Sequence, residues 1–196
     1  MVRTPACQAG GREFKSRQSR SKPRLWMGFF VYRITLIKKR GHKLTIYLEW
    51  IAIIAFGFLG GVYFAFSFFV MRSLNELSSS NAVRTMIVIN KVILKSPFMF
   101  LFISSTIIAL LLIISSLILN DPFSNNSFSG VIFLIGMFLC TAIKNVPLNK
   151  KLEELTDIDS AYESEVEWSN YYHNWTKWNH VRTASCLLST ALLIAK

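Results

Sequence analysis

Charged residues are scarce in this sequence of 196 residues. Asp, Glu, Lys and Arg make up 17% of the chain, whereas a soluble domain of this length carries about 25%. Apolar residues make up 52%, and 16 of them are Phe. The shortage of charge excludes an ordinary soluble domain and predicts an integral membrane protein, with no room for a second large domain.

Residues arranged in familiar catalytic or metal-binding motifs are also missing. The sequence contains no HExxH, GxSxG, CxxC or glycine-rich phosphate loop. Its histidines are scattered, and no ExxH pair of the kind found in di-iron proteins occurs. The cysteines share no ligand spacing: Cys7, Cys140 and Cys186. We therefore expect no disulfide framework, no metal site and no cofactor.

Positive charge is concentrated at the start of the chain. Twelve of the 22 Lys and Arg lie in residues 1–43, and seven of the 11 acidic residues lie in residues 153–167. A basic tail beside a membrane span is typical of cytoplasmic retention and of attraction to anionic lipid. No recognition module for nucleic acid accompanies it, so a nucleic-acid partner is not expected. We predict a disordered or surface-lying tail over 1–43 and a membrane domain over 44–196.

Four apolar stretches predict transmembrane helices at about 44–69, 97–119, 131–147 and 176–195. Their connections are short, so the expected fold is all-α: an antiparallel bundle of four transmembrane helices. The pattern of Asn81 to Leu94 predicts an amphipathic helix outside the membrane, and the acidic stretch 150–170 predicts another. Residues 120–130 are rich in turn formers, and Pro147 is expected to end or kink the third span.

The first span contains small residues and one acid. Gly57, Gly61 and Ala65 form a small-residue ridge that permits close approach of another helix. Glu49 lies near the start of the span, where it is expected to reach the surface or pair with a basic neighbour such as Lys43. A buried catalytic carboxylate is the alternative interpretation, because acids inside a membrane are functional candidates.

The distribution of Lys and Arg predicts the orientation of this multi-pass protein in the cell (inner or plasma) membrane. Thirteen lie on the side of the two termini and eight on the opposite side. The positive-inside rule then places both termini in the cytoplasm. If the protein starts at Met27, the balance becomes six against eight and the orientation reverses.

The most unusual stretch is WSNYYHNWTKWNHVR at residues 168–182. In a helix, six of its side chains project within about 60° of one direction: Trp168, Tyr171, Tyr172, Trp175, Asn179 and Arg182. His180 points to a neighbouring face, about 160° from Arg182. The stripe is either an aromatic belt at the membrane surface or the wall of a binding pocket. Polar groups this close to hydrocarbon are costly unless they are used.

Three segments resemble a known family, in the family's order: FAFSFFVM at 64–71, NVPLN at 145–149 and WNHVRT at 178–183. The family consists of small four-helix membrane proteins and includes the anthrone oxygenases of fungal polyketide pathways, with many bacterial members of unknown function. The resemblance covers about residues 57–195 and includes an MxxIN pattern that ends at Asn90.

The resemblance implies an oxygenase that needs neither metal nor flavin. A phenolic or polyketide-like substrate loses a proton, and the resulting carbanion reacts directly with dioxygen. The protein supplies a base, donors for the enolate oxygen and a dry aromatic slot. His180 is expected to be the base, with Asn179 and Arg182 as donors. The expected substrate-binding residues are Asn90, Asn145, Asn149, Trp168, Tyr172, Trp175 and Trp178.

A non-enzymatic bundle is the competing hypothesis. The same Asn, His and Arg side chains would then hold the loops together, and the protein would bind lipid, a hydrophobic small molecule or a partner protein. An aromatic pocket of about 300 Å³ or more beside His180 favours the enzyme, and a filled interior favours the scaffold. Expected partners are the lipid bilayer, an aromatic small molecule and dioxygen; the sequence does not specify an oligomeric state.

Overall fold

A computed structural model of the protein describes residues 22–154 and 161–195. Residues 39–196 form one compact unit, and all side-chain contacts discussed below lie within it. Of the other unit, Met1–Lys38, the structure describes only the beginning of the first helix. Residues 1–21 lie outside the described residues, so the disordered tail stays a prediction. Throughout the described ranges the regular structure is helical, which confirms the all-α prediction.

Seven α-helices follow one another in the described residues: α1 (Lys22–Ala65), α2 (Met71–Asn75), α3 (Ser79–Leu94), α4 (Pro97–Ile118), α5 (Asn125–Phe133), α6 (Val146–Glu153) and α7 (Ala161–Ile194). Three π-helical segments join some of them without a loop: Phe66–Val70, Leu134–Leu139 and Thr141–Asn145. Continuous helices therefore run from α1 through α2, and from α5 through α6.

Three of the described helical stretches are long and apolar enough to cross a membrane, namely Gly41–Asn75, Pro97–Ile118 and Asn125–Glu153. The protein is therefore a helical membrane bundle. The predicted fourth span, 176–195, falls within α7, which is not among the three. The buried face of α7 carries polar side chains such as Ser185 and Ser189, which lower its hydropathy.

The third span is longer than expected, because the helix does not end at Pro147. This proline lies in the first turn of α6, directly after the π-helical segment Thr141–Asn145. A proline lacks an N–H, and the first turn of a helix is where that donor is least needed. The helix also begins earlier, at Asn125, so the turn-rich connection is shorter than the predicted 120–130.

The turn after α4 is a left-handed cap. Asn120 has φ 58°, a conformation that Asn tolerates better than most residues. The Asp121 amide donates to the Ser116 carbonyl at 2.9 Å, and the Asn120 amide donates to Leu117 at 3.1 Å. These two bonds satisfy the last carbonyls of α4 and turn the chain back towards α5.

The main apolar core lies between α1, α4, α5 and α7. Phe56 of α1 stacks on Phe133 of α5 with ring centroids 3.8 Å apart. The buried residues of this core are Ala52, Ala55, Phe56, Leu59, Tyr63, Phe102, Ala109, Leu112, Phe133, Met137, Cys186 and Leu193. In a bilayer, close van der Waals packing of these side chains holds the spans together.

Close helix approach occurs at other glycines than the predicted ridge. A Cβ at Gly57 or Gly61 would meet nothing within 4 Å. At Gly136 it would clash with the Ser185 side chain, and at Gly130 it would lie 2.7 Å from the Ala109 carbonyl. No other helix of the described residues packs against Gly57 or Gly61, so the close approach that this ridge permits is not used within the bundle. The ridge glycines lie on the outer face, whereas the third span makes the tight contacts.

An aromatic cluster packs α3 and α6 against the first half of α7. Its buried members are Met71, Leu74, Ala82, Val83, Met86, Ile87, Leu152, Trp168, Tyr171 and Trp175. Four of them lie on one face of α3, which confirms the amphipathic helix predicted over 81–94. The predicted acidic helix over 150–170 is represented by α6 and the start of α7, and residues 155–160 lie outside the described residues.

Candidate functional site

The centre of the candidate site is the buried cation of Arg182 on α7, which is 5% exposed. Its guanidinium lies over two aromatic rings, 4.5 Å from the centroid of Tyr63 and 4.9 Å from that of Trp175. Nη2 donates a hydrogen bond to Asn179 Oδ1 at 2.6 Å, and Nε has no partner. Neither ion pair of the described residues involves Arg182. A buried cation held only by rings and an amide leaves room for an anionic ligand.

Asn179 fixes this arginine to the first span. Its side chain is fully buried, and Nδ2 donates to the Tyr63 carbonyl and to Ser67 Oγ, both at 2.7 Å. Ser67 belongs to the π-helical segment Phe66–Val70, and its hydroxyl also lies 3.3 Å from Thr183 Oγ1. All the hydrogen-bonding atoms of the Asn179 amide are used within the bundle, so this residue positions Arg182.

Asn149 holds the aromatic side of the site. Its Oδ1 accepts hydrogen bonds from the Tyr171 hydroxyl at 2.8 Å and from Trp175 Nε1 at 2.9 Å. Asn145, one helical turn earlier, donates to the Trp175 carbonyl at 3.3 Å, and its own Oδ1 has no partner. Burial raises the pKa of the Tyr171 hydroxyl, and the neighbouring Asn90 amide opposes part of that rise. Tyr171 is therefore a neutral donor at physiological pH.

An apolar, aromatic cavity of about 150 Å³ lies beside Arg182. It is enclosed by the end of α1, by α3, by the first turns of α4, by the third span and by α7. The residues that line it are Val62, Tyr63, Phe66, Met86, Ile89, Asn90, Ile93, Leu94, Phe98, Met99, Phe102, Thr141, Val146, Asn149, Trp175 and Arg182.

Six of the residues selected from the sequence are brought together here. Four line the cavity itself: Asn90, Asn149, Trp175 and Arg182. Asn145 and Asn179 lie directly behind them and hold Trp175 and Arg182 through hydrogen bonds. The Asn90 amide lies close enough to the Tyr171 hydroxyl to oppose the rise in its pKa, but its buried nitrogen makes no hydrogen bond of good geometry.

Three predicted aromatic residues lie elsewhere. Trp168 is buried in the aromatic cluster and donates from Nε1 to Asn75 Oδ1 at 3.0 Å. Tyr172 packs against that cluster. Trp178 lies beside two cations, with Lys144 Nζ 4.9 Å and Lys177 Nζ 5.6 Å from its ring centroid. None of the three lines the cavity, so each has a packing or surface role.

His180 lies outside the cavity that Arg182 lines and that Asn179 supports from behind. It is exposed, and its ring lies 5.5 Å from the ring of Phe68 in an edge-on contact. The physical reason is helical phase, since a residue two positions from Arg182 points about 160° away. The sequence-based assignment of His180 as the base therefore receives no support from the geometry.

Several lining residues carry no motif that marks them in the sequence. Tyr63 directly precedes the segment FAFSFFVM, which is the only signal for it. The span α4 contributes Phe98, Met99 and Phe102. No motif distinguishes them from the other apolar residues of that span. Their contribution depends on which face of α4 turns inward, and α4 is apolar on all sides.

Glu49 and possible metal ligands lie outside the cavity. Glu49 is 8% exposed and accepts a hydrogen bond from Asn126 Nδ2 at 2.6 Å. It is therefore buried beside α5, which corrects the expectation that it reaches the surface. In the part of the chain that the structure describes, no three His, Cys, Asp or Glu side chains are grouped as metal ligands. The absence of a cofactor stays a prediction.

Together, the helices and the cavity define a class: helical membrane proteins with a dry aromatic site and an arginine in its wall. Residues 95–192, 98 of the 196, match the anthrone oxygenase family. The chain belongs to this family, as the resemblance predicted. The matched segment contains Asn145, Asn149, Trp175, Asn179 and Arg182. Comparisons with curated proteins and with solved structures found no match.

Proposed function

We propose that this protein is a cofactor-independent oxygenase that converts a phenolic, anthrone-like small molecule to a quinone with dioxygen. One observation carries the proposal: a buried guanidinium, without a carboxylate partner among the described residues, forms part of the wall of an aromatic cavity. Membership of the anthrone oxygenase family supports the choice of substrate class.

Arg182 binds the anionic form of the substrate. A cation in surroundings of low dielectric constant attracts an oxyanion far more strongly than the same cation in water. The substrate enolate supplies the charge partner that the protein lacks at this position, and binding of the anion lowers the pKa of the bound substrate. The aromatic rings of Tyr63 and Trp175 keep the guanidinium flat and fixed before the substrate arrives.

The reaction replaces a CH₂ group between two aromatic rings by a carbonyl. One ring-flanked C–H bond gives its proton to water, and the electron pair spreads onto the oxygen that Arg182 holds. The carbanion carbon transfers an electron to dioxygen, and a C–O bond forms to give a hydroperoxide. Loss of the second C–H proton and cleavage of the O–O bond then form the C=O group, and one water molecule is released.

Water takes the proton in this scheme. Of the described residues that line the cavity, only Tyr63 and Arg182 have ionisable side chains. Neither is a good base at neutral pH. The protein accelerates the reaction by stabilising the enolate and by excluding bulk water, so that only the water molecule that accepts the proton lies beside the substrate.

The cavity is smaller than the substrate requires. Its volume of about 150 Å³ is below the range of about 300–1,000 Å³ found for ligand pockets. Met86 and Met99 are in its wall, and methionine side chains are flexible enough to repack around a ligand. We propose that these side chains move when a three-ring substrate binds.

A non-enzymatic bundle is the second candidate, and the small cavity favours it. The hydrogen bonds of Asn179 and Asn149 already join the first span, the third span and α7 without a ligand. In that case Arg182 is part of a structural network, or it holds the phosphate or carboxylate of a lipid.

The test is replacement of the charge. We expect Arg182→Met to lower oxygen consumption with anthrone about 100-fold, the usual effect of removing one oxyanion donor. Arg182→Lys keeps a charge and should retain part of the activity. Arg84→Met removes an exposed arginine of α3 and serves as the control.

Two outcomes contradict the proposal. Full oxygen consumption by the Met variant removes Arg182 from the mechanism. Binding of anthrone by the wild-type protein without oxygen consumption identifies a binding protein instead. Thermal stability of each variant in detergent shows whether a loss of activity is a loss of fold.

The number of spans and their orientation belong to the same proposal. We propose that α7 is a fourth span, since it packs along the third span, including its first part α5. We also propose that both termini face the cytoplasm. Cysteine labelling from either side of sealed vesicles, at Lys43 and at Asn174, tests the orientation. Lys43 should react from the cytoplasmic side and Asn174 from the opposite side. The reverse pattern, or reaction of both positions from one side, would contradict the proposal.

A further inference from the structure

The most exposed residues of the cavity lining are apolar. Among its described lining residues only two are exposed, Leu94 at 65% and Val146 at 38%. The polar lining residues are buried or half-buried, and Arg182 is 5% exposed. The cavity therefore meets its surroundings through hydrocarbon side chains, while its charge lies inside.

These two residues lie at the edge of the membrane-spanning part. Leu94 ends α3, and the apolar span α4 begins three residues later at Pro97. Phe98 and Met99, in the first turn of that span, also line the cavity. Val146 lies within the third span, Asn125–Glu153. Because spans begin at the headgroup level, the mouth opens onto the outermost hydrocarbon of the bilayer.

The side towards water is closed by hydrogen bonds. A second pocket of about 220 Å³ lies there, lined by polar residues that include Lys151, Glu167 and Asn174. Tyr171 also lines that pocket, and its hydroxyl donates to Asn149, which lines the cavity. Trp175 donates to the same oxygen. The junction of Tyr171, Asn149 and Trp175 therefore separates the aqueous pocket from the dry cavity.

From this arrangement we infer that the cavity exchanges its ligand with the bilayer, through a portal between Leu94 and Val146. The substrate class follows: neutral aromatic phenols or ketones that partition into membranes and ionise only when they reach Arg182. A substrate that is already charged in water has no route to the cavity. This inference rests on the proposed function for the identity of the ligand, but the position of the portal can be tested without it.

The first experiment measures what surrounds the portal. Spin labels are placed at Leu94→Cys and Val146→Cys in the full chain in bilayers, with Cys7→Ser, Cys140→Ala and Cys186→Ala as background. We expect fast relaxation by lipid-soluble oxygen and little by a water-soluble nickel chelate. A label at Asn174→Cys, beside the aqueous pocket, should show the reverse. Equal access of nickel to all three positions overturns the portal, whatever the protein does chemically.

The second experiment narrows the portal. Leu94→Trp and Val146→Trp should lower kcat/KM for bilayer-dissolved anthrone about tenfold through slower association, with kcat less affected. Val92→Trp adds the same bulk to an exposed position of α3 that does not line the cavity, so it should have no effect. Unchanged kcat/KM in both portal variants contradicts the inference. Absence of turnover in the wild-type protein contradicts the proposed function instead, and the spin labels still decide on the portal.

Discussion

The two ends of the bundle pack their helices in opposite ways. Around Gly130 and Gly136, helices approach so closely that an added Cβ would clash with the Ala109 carbonyl or with Ser185. Ser129 and Ser189 exchange hydrogen bonds with each other's carbonyls at 2.9 and 3.0 Å. At the other end, large aromatic rings and Arg182 keep the helices apart, and a cavity of about 150 Å³ remains.

The tightly packed end contributes to stability, whereas the loosely packed end contains the candidate site. Small residues let backbones touch, and such contacts leave little space between helices. Rings and a guanidinium have fixed shapes, and here they leave a cavity between the helices. The cost of a buried charge at that end is met by the Asn179 amide and by two ring faces.

The largest effect is expected from Asn179→Leu, which leaves the cation of Arg182 without a hydrogen bond. We expect a loss of about 2–3 kcal/mol in the free energy of unfolding, because a hydrogen bond to a charged group is worth about 1.5–3 kcal/mol. The double variant Asn179→Leu with Arg182→Met should recover much of this loss of stability. It should not bind anthrone, because the cation is missing. Reversible unfolding in mixed micelles measures both. A double variant no more stable than Asn179→Leu would show that packing, not charge, dominates this end.

A smaller effect is expected at the tightly packed end. Gly136→Ala places a Cβ against Ser185 and should destabilise the protein by about 1–3 kcal/mol. The matched control is Gly61→Ala on the outer face of the first span, where nothing lies within 4 Å. It should be neutral or stabilise by up to about 1 kcal/mol, because Ala favours helix over Gly. Equal effects of the two changes would contradict the proposed contrast between the faces.

Tyr171→Phe should cost about 1 kcal/mol at neutral pH, the usual worth of one hydrogen bond. Burial raises the pKa of Tyr171 above its ordinary value of 10.0. The unfolded chain therefore loses this proton first, and the stability that Tyr171 contributes declines as pH rises above 10. The difference in free energy of unfolding between wild type and Tyr171→Phe should become smaller in that range. Tyr172→Phe is the control, and a gap that stays constant with pH contradicts the assignment.

The smallest effect is expected from His180→Ala. His180 is exposed and contacts Phe68 outside the cavity. The rate of oxygen consumption should therefore stay within about twofold of wild type, and the free energy of unfolding within about 0.4 kcal/mol. Parallel oxygen-electrode traces with the Arg182→Met variant make the comparison direct. A loss as large as that of Arg182→Met would restore the sequence-based role of His180 as the base.

Three of the four predicted spans and the helical stripe agree with the structure, because both features depend on local patterns. Trp175, Asn179 and Arg182 share one face of α7 in the structure, as their spacing required. The outcome for His180 followed from the same spacing, since its phase differs from that of Arg182. A resemblance to a motif selects neighbouring residues together, whereas a helix separates them.

Other features depended on contacts that no local pattern contains. Glycines at positions 57, 60, 61, 130 and 136 look alike in the sequence, and only three-dimensional packing separates those against a helix from those on the outer face. The π-helical segments, likewise, have ordinary apolar composition. Their positions decide which residues of the third span face Trp175, and this was not predictable from periodicity.

Those wide turns have a consequence for how the chain tolerates change in length. A π-helical turn holds about one residue more than an α-helical turn, so losing one residue there lets the ordinary ladder close. Because the shortened turn covers nearly the same rotation, the residues downstream stay on the same face of the helix. A deletion within Thr141–Asn145 would leave Asn149 directed at its two donors, whereas a deletion within Asn125–Phe133 would turn it by about 100°. The π-helical segment can therefore absorb the loss of one residue before it reaches the asparagine.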